Sequence, residues 1–130
     1  MPENGVVSIV DDDESIREGM MDLIGSLGFR VVSFASAEEF LKSDHLHSTS
    51  CLIADVQMPG MTGPELHSKL VSSGVTIPTL LITAHPDERV RVRALNAGVI
   101  CYLIKPFAED DLLDCIRSAL DSKSTAPKEP

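Results

Sequence analysis

Residues 6–14 read VVSIVDDDE, and this stretch decides the fold that the sequence predicts. Residues 6–10 are a short apolar run, typical of a strand that is buried on both faces. The run ends directly in the four acidic residues 11–14, and apolar side chains then recur at helical spacing over residues 16–27. Gly28 is suited to ending that helix. The stretch therefore predicts a strand, an acidic turn and a helix.

The same alternation of strand and helix recurs along the rest of the chain. The further predicted strands are residues 31–34, 51–54, 79–82 and 101–104. The helices that follow them are predicted at about residues 37–41, 64–72, 87–97 and 109–122. Five such units with apolar strands predict an α/β fold, in which a parallel sheet carries helices on both faces. Right-handed crossovers then make the fold doubly wound.

Composition limits the classes of function. The 130 residues are 43% apolar, enough for one globular domain with its own core. The net charge of −9 argues against a nucleic-acid surface on this domain. No apolar run is long enough to span a membrane and no secretory signal precedes the first strand, so we expect a cytoplasmic protein that binds neither membrane nor nucleic acid.

Two further features bear on domain organisation and on redox chemistry. The domain is predicted to cover residues 1–122, and residues 123–130 to form a flexible tail or linker, because they have no apolar face. Cys51, Cys101 and Cys115 are widely spaced and odd in number. This pattern favours buried thiols over a disulfide framework.

Reactive side chains follow four of the five predicted strands. Asp11 and Asp12 come after the first strand, Asp55 after the third, Thr83 after the fourth and Lys105 after the fifth. Because ligands of doubly wound folds bind outside the carboxyl ends of the strands, we expect these groups to meet at one edge of the sheet. Three neighbouring carboxylates repel one another and favour a hard cation such as Mg²⁺. A carboxylate in such a site can attack phosphorus, with Lys105 and the metal offsetting charge on the transferred group.

The order of these motifs resembles the receiver domain of two-component response regulators. The matching residues are Asp11-Asp12, Asp55 followed by Met58-Pro59-Gly60-Met61-Thr62-Gly63, Thr83-Ala84, and Lys105-Pro106-Phe107. The likeness covers residues 6–122 and is greatest to receivers of nitrogen-fixation and LuxR-type regulators. It implies a flavodoxin-like (βα)5 receiver that takes a phosphoryl group from a histidine kinase or phosphotransfer protein within a phosphorelay.

The resemblance also implies roles for individual residues. Asp55 would be the phosphoacceptor, Lys105 would contact the phosphate, and Thr83 and Tyr102 would be the switch pair. Mg²⁺ would be held by Asp12, Asp55 and the backbone carbonyl of Gln57, with assistance from Asp11. The positions of Gln57 and His85 tune the lifetime of the phosphate in this family.

The resemblance implies regulation through partners rather than turnover. Self-catalysed phosphoryl acceptance and slow dephosphorylation would be the only chemistry, so we do not expect an enzyme in the usual sense. The partner of the phosphorylated state would be an output domain, another protein or a second phosphorylated copy of the chain. For such pairing, Arg89, Arg91 and Arg93 could meet an acidic group on the last helix, although a solvated helix face also accounts for the arginines.

Other functions remain open at this stage. A haloacid-dehalogenase-type phosphatase also needs a strand that ends in D-x-D, which Asp11 and Asp13 satisfy. It would need a later acidic pair on another strand, whereas Asp110-Asp111 fall on a predicted helix. A dinucleotide-binding domain would need a glycine-rich turn where this chain has four acids. A receiver that is never phosphorylated would not need the set of Asp12, Asp55, Thr83 and Lys105.

Overall fold

The computed structural model describes residues 5–125 and contains one parallel sheet of five strands in the order β2-β1-β3-β4-β5. The strands are β1 Val6–Val10, β2 Arg30–Phe34, β3 Thr49–Asp55, β4 Thr79–Thr83 and β5 Cys101–Ile104. The helices are α1 Glu14–Ser26, α2 Ala37–Lys42, α3 Gly63–Ser72, α4 Glu88–Asn96 and α5 Glu109–Thr125. The predicted doubly wound α/β fold is confirmed.

The core lies in two layers, one on each face of the sheet. On one face, side chains of the central strands pack against α1 and α5; the largest are Ile9, Ile53, Leu80, Ile82, Ile24, Leu112 and Ile116. On the other face they pack against α2, α3 and α4, through Val10, Leu52, Leu81, Phe40, Leu66, Leu70 and Ala94 among others. Full burial of one such aliphatic or aromatic side chain contributes about 1.5–3 kcal/mol. The central strands are apolar on both faces because both faces are covered.

The cysteines differ from the sequence-based expectation. Cys101 on β5 and Cys115 on α5 form a disulfide, with Cα atoms 6.1 Å apart. The expectation of buried thiols was therefore wrong for this pair, because packing of α5 on the sheet brings together residues that lie 14 positions apart. Cys51 is a buried free thiol, as expected.

The end of the last helix and one short additional element also differ from the predictions. Helix α5 runs to Thr125, three residues beyond the predicted end near residue 122. The remainder of the predicted tail, residues 126–130, lies outside the described part of the chain. A short 3₁₀ helix at Leu46–Ser48, which the sequence did not predict, leads into β3. Within residues 5–125, every helix is too short or too polar to cross a membrane.

Candidate functional site

The carboxyl edge of the sheet brings together the polar groups that the sequence places after separate strands. Asp55 is the last residue of the central strand β3, and its ladder partner on β4 is Ile82, next to Thr83. On the other side of β3, Ala54 pairs with Val10, so Asp11 lies beside Asp55. Asp11, Asp55 and Lys105, which follows β5, border a cavity of about 210 Å³, whereas Thr83 does not line it.

Three carboxylates form an acidic cluster in this cavity, defined as Asp11, Asp12 and Asp55. Each offers an oxygen, and these oxygens all lie within 4.8 Å of one another. Asp11 is fully buried and Asp55 is 9% exposed, whereas Asp12 is open to solvent. Gln57 and His85 line the same cavity. The cluster therefore has one solvent-exposed carboxylate, Asp12, and two buried carboxylates, Asp11 and Asp55.

Lys105 is the cation that faces the two buried carboxylates. Its Nζ lies 3.7 Å from Asp11 Oδ2 and 3.7 Å from Asp55 Oδ1. Both separations exceed hydrogen-bond length, so the ammonium lies between the carboxylates without being fixed to either. The Lys105 backbone N–H donates to the Thr83 carbonyl at 2.8 Å, and the peptide bond to Pro106 is cis. The hydrogen bond to the Thr83 carbonyl anchors the backbone after β5, whereas the Lys105 ammonium lies beyond hydrogen-bond length from both carboxylates.

The electrostatics of the acidic cluster favour a bound cation. Burial, followed by the negative charge of Asp11, raises the pKa of Asp55 to about 6, although Lys105 opposes this rise. Burial also raises the pKa of Asp11, although the Asp13 N–H donates to its Oδ1 at 2.9 Å. Asp11 Oδ2 is the one buried side-chain polar atom in the described residues without a hydrogen-bond partner. An orphaned oxygen within an all-oxygen donor set fits a hard divalent cation.

Thr83 and Tyr102 both bind the backbone of residues 84–87, which we call the β4–α4 loop. The buried Thr83 hydroxyl accepts a hydrogen bond from the His85 N–H at 2.9 Å. The Tyr102 hydroxyl accepts one from the N–H of Asp87, the N-cap of α4, at 3.2 Å. The two residues are therefore linked through the loop, a relationship that residue types alone do not reveal.

Gly63 sets the position of the loop after Asp55. A Cβ on Gly63 would overlap the carbonyl oxygen of Asp55 and lie 3.0 Å from Leu81 Cδ2. At the same point, the Thr62 and Glu65 side chains form a capping box at the start of α3. The sequence predicted a turn here. It did not predict that the start of α3 contacts the backbone of Asp55, the candidate phosphoacceptor.

The structure gives other roles to the residues of the phosphatase alternative. Asp13 Oδ1 accepts a hydrogen bond from the Ile16 N–H at 3.1 Å and so caps α1. Asp110 and Asp111 lie in the first turn of α5, not at the end of a strand. The phosphatase alternative therefore finds no support.

Comparisons with known proteins agree with this geometry. The family described as response regulator receiver domain matches residues 7–117. The response regulator protein TmoT of Ectopseudomonas mendocina is 41% identical over 97% of this chain and 59% of its own length. The solved structure of the response regulator StyR has a TM-score of 0.87 at 42% identity, covering 95% of this chain and 62% of that one. The structure of FixJ-N has a TM-score of 0.81 at 33% identity, covering 90% of this chain and 94% of that one.

Proposed function

The chain belongs to the response regulator receiver family, and from this we propose that Asp55 is the residue that accepts the phosphoryl group. Receivers of response regulators are regulatory domains rather than enzymes with turnover. The observation that supports Asp55 is its position at the end of the central strand, with Asp11 on one side and Lys105 Nζ at 3.7 Å. Asp11 also lies 3.7 Å from Lys105 Nζ and borders the cavity, but its side chain is only 1% exposed, against 12% for Asp55, so Asp55 is the more accessible of the two.

The proposed chemistry uses the residues of the cavity in distinct roles. A carboxylate oxygen of Asp55 attacks the phosphorus of a phosphohistidine on a histidine kinase or phosphotransfer protein, and the P–N bond to the donor breaks. Lys105 moves toward the phosphate oxygens and offsets their charge. Asp11, Asp12, Asp55 and the backbone carbonyl of Gln57 would hold Mg²⁺, which supplies further positive charge when bound.

The switch would then act through the β4–α4 loop. A phosphoryl group on Asp55 presents strong acceptor oxygens, to which the Thr83 hydroxyl would donate a hydrogen bond. Rotation of the Thr83 side chain toward the phosphate weakens the hydrogen bond from the His85 N–H to the Thr83 hydroxyl oxygen. The loop is released, and with it the bond between the Asp87 N–H and Tyr102. The surface formed by α4, β5 and α5, which we call the output face, changes as a result.

The output face would bind an output domain, a partner protein or a second phosphorylated copy of the chain. The chain spans less than two thirds of the length of TmoT and StyR, so an output domain in the remainder is the first proposal. For a symmetric pair, the arginines of α4 would face acidic residues of α5, namely Asp110, Asp111 and Asp114. Arg89 and Arg91 already pair with Asp87 and Glu88 of their own segment and are exposed to solvent, so new ion pairs with α5 would add little to the stability of the pair.

Phosphorylation of matched variants tests the proposal. Wild type, Asp55→Asn and Asp22→Asn are incubated with Mg²⁺ and acetyl phosphate and weighed by mass spectrometry. Asp22 is an exposed carboxylate of α1, so its variant controls for loss of charge alone. We expect the mass of one phosphoryl group to appear on wild type and Asp22→Asn but not on Asp55→Asn. Equal uptake by Asp55→Asn, or release of phosphate without any mass gain, would contradict the assignment.

A further inference from the structure

The disulfide between Cys101 and Cys115 joins two elements of the output face. These are β5, which contains the switch residue Tyr102, and α5. Cys101 begins β5 and Cys115 lies within α5, with Cα atoms 6.1 Å apart. The bond therefore restrains α5 relative to the edge strand of the sheet. This restraint is separate from the acidic cluster, because neither cysteine borders the cavity at Asp55.

Alternation along β5 places the disulfide and Tyr102 on opposite faces of the same strand. Cys101 and Leu103 pack in the layer that contains α1 and α5. Tyr102, between them, packs in the layer that contains α4 and reaches the start of α4 through its hydroxyl. Because the disulfide fixes β5 to α5, the backbone that carries Tyr102 has less freedom to shift relative to α5 when the bond between Tyr102 and the Asp87 N–H is released.

We propose that Cys101 and Cys115 are a reversible redox modification site, and that their disulfide restrains the response of the output face to phosphorylation. The second part of this proposal rests on the proposed function, whereas the first part does not. The ligand class is a small-molecule disulfide such as glutathione disulfide. The oxidised and reduced chains would then carry the same phosphoryl group but signal it to different extents.

The exchange chemistry balances without a metal or cofactor. The Cys101 thiolate, the more exposed of the two, attacks one sulfur of glutathione disulfide and displaces a glutathione thiolate. The Cys115 thiolate then attacks the Cys101 sulfur of the mixed disulfide, breaks its bond to glutathione and displaces the second thiolate. The two protons lost by the cysteines end on the two glutathione thiols. The protein is oxidised by two electrons and the glutathione disulfide is reduced by two.

Cys51 provides an internal contrast. It lies on β3 in the same core layer, but it is fully buried and unpaired. Burial raises the pKa of its thiol to about 12, so almost none of it is the reactive thiolate at neutral pH. Cys51 is therefore expected to stay reduced while the Cys101–Cys115 pair responds.

The test combines thiol state with the response to phosphodonor. Wild type, Cys115→Ala and Cys51→Ala are equilibrated in glutathione buffers of increasing oxidised fraction, and free thiols are alkylated and mapped by mass spectrometry. The two variants remove cysteines from the same core layer and differ in whether the pair survives. Each protein is then treated with Mg²⁺ and acetyl phosphate, and amide exchange is followed across β5 and α5.

Wild type and Cys51→Ala are expected to lose two hydrogen atoms on oxidation and to form the Cys101–Cys115 peptide, whereas Cys115→Ala stops at the mixed disulfide between Cys101 and glutathione. In wild type and Cys51→Ala, oxidation should suppress the change in amide exchange that phosphorylation causes at β5 and α5. In Cys115→Ala, that change should remain. Absence of the cross-linked peptide in every buffer would overturn the modification site. Equal exchange changes in both thiol states would overturn the restraint, and uptake of phosphate at Asp55 by the reduced protein would show that the proposed function still stands.

Discussion

Thr83 and Tyr102 hold the β4–α4 loop from its two ends: the Thr83 hydroxyl binds the His85 N–H at 2.9 Å and the Tyr102 hydroxyl binds the Asp87 N–H at 3.2 Å. Coupling between the two side chains can therefore pass through the loop backbone. In this arrangement, a change at the Thr83 hydroxyl frees the His85 amide and a change at the Tyr102 hydroxyl frees the Asp87 amide, two residues further along the same loop. The loop is thus the first element on which the proposed switch can be tested.

The Thr83 hydroxyl can be removed while the phosphoacceptor is kept. Thr83→Ala should still take up phosphate at Asp55. The change in amide hydrogen exchange that phosphorylation causes at β5 and at the start of α4 should be lost, because the variant has no hydroxyl to turn toward the phosphate. Thr83→Ser keeps the hydroxyl and should respond like wild type. Amide exchange before and after acetyl phosphate checks this, and an unchanged response in Thr83→Ala would rule out the hydroxyl as the trigger.

Tyr102→Phe removes only the acceptor at the other end of the loop. We expect faster exchange of the Asp87 amide in the unphosphorylated protein and a loss of about 0.5–1.5 kcal/mol in unfolding free energy, the usual net worth of one hydrogen bond. Site-resolved exchange and chemical denaturation measure the two effects. An Asp87 amide that exchanges at the wild-type rate would show that this bond does not hold the loop in solution.

Removing the cation should slow phosphoryl uptake and raise the pKa of Asp55 further, because Lys105 is the charge that lowers it. We expect Lys105→Gln to reduce the uptake rate by about 10²–10³-fold, the usual scale for loss of one charge-stabilising group. Lys69→Gln, on the exposed side of α3, is the matched control. Uptake rates are measured by intact mass against time, and equal rates in the two variants would exclude the proposed role of Lys105.

The acidic cluster should make the metal-free protein less stable as pH rises. Asp55 has a pKa of about 6 in the folded chain against an ordinary 3.8, so the folded state binds the proton more tightly. Stability from this group is present below pH 3.8 and is lost as pH rises to about 6. Above that pH, Asp55→Asn should be more stable than wild type by about 1–2 kcal/mol in chelator, because the cost of the pKa rise from 3.8 to about 6 is reduced by solvent screening. Chemical denaturation across this range checks the sign, and a less stable Asp55→Asn would refute the argument.

Mg²⁺ should reverse that penalty by binding the folded state. We expect millimolar Mg²⁺ to raise the melting temperature at neutral pH, and to raise it less below pH about 6, where Asp55 is protonated. Asp12→Ala should lose most of the metal response, since it removes the solvent-facing ligand, while Asp22→Ala should keep it. A wild-type melting temperature that does not change when Mg²⁺ is added would contradict the metal site.

The contact between Gly63 and Asp55 predicts opposite effects for two glycine-to-alanine changes. Gly63→Ala places a methyl group against the Asp55 carbonyl and should cost about 1–3 kcal/mol and slow phosphoryl uptake. Gly19→Ala, inside α1 with nothing within 4 Å of the new atom, should stabilise the protein by about 0.5–1 kcal/mol. Denaturation curves of both variants decide the matter; a neutral Gly63→Ala would mean that the loop can move away freely.

The architecture could be predicted because each element carries a local signal. Strands buried on both faces appear as continuous apolar runs, and the groups at their carboxyl ends must meet once the strands are parallel. The end of α5 was predicted too early because its apolar spacing stops at Leu120, whereas the backbone continues as helix to Thr125. Residue pattern reports the face that packs, not how far hydrogen bonding extends beyond it.

The parts of the site that could not be predicted depend on distances between elements. The roles assigned to Asp55, Lys105 and the metal ligands stay predictions, but their proximity followed from topology. The pairing of Cys101 with Cys115, the overlap at Gly63 and the loop between Thr83 and Tyr102 did not, since each depends on how a helix or loop is seated on the sheet. Local sequence contains no measure of that seating.

The spread of the site over β1, β3, β4 and the segment after β5 has a consequence for biosynthesis. A nascent chain that has left the ribosome only as far as Thr83 holds the acidic cluster but not Lys105, and the edge of its sheet at β4 lacks a neighbour. Such a chain has repelling carboxylates and no ammonium between them. On the proposed function, competence to be phosphorylated would therefore arise only when β5 docks. A kinase would then not phosphorylate an incomplete chain, and a proteolytic cut between Asp11 and Lys105 that separates the strands would abolish phosphorylation.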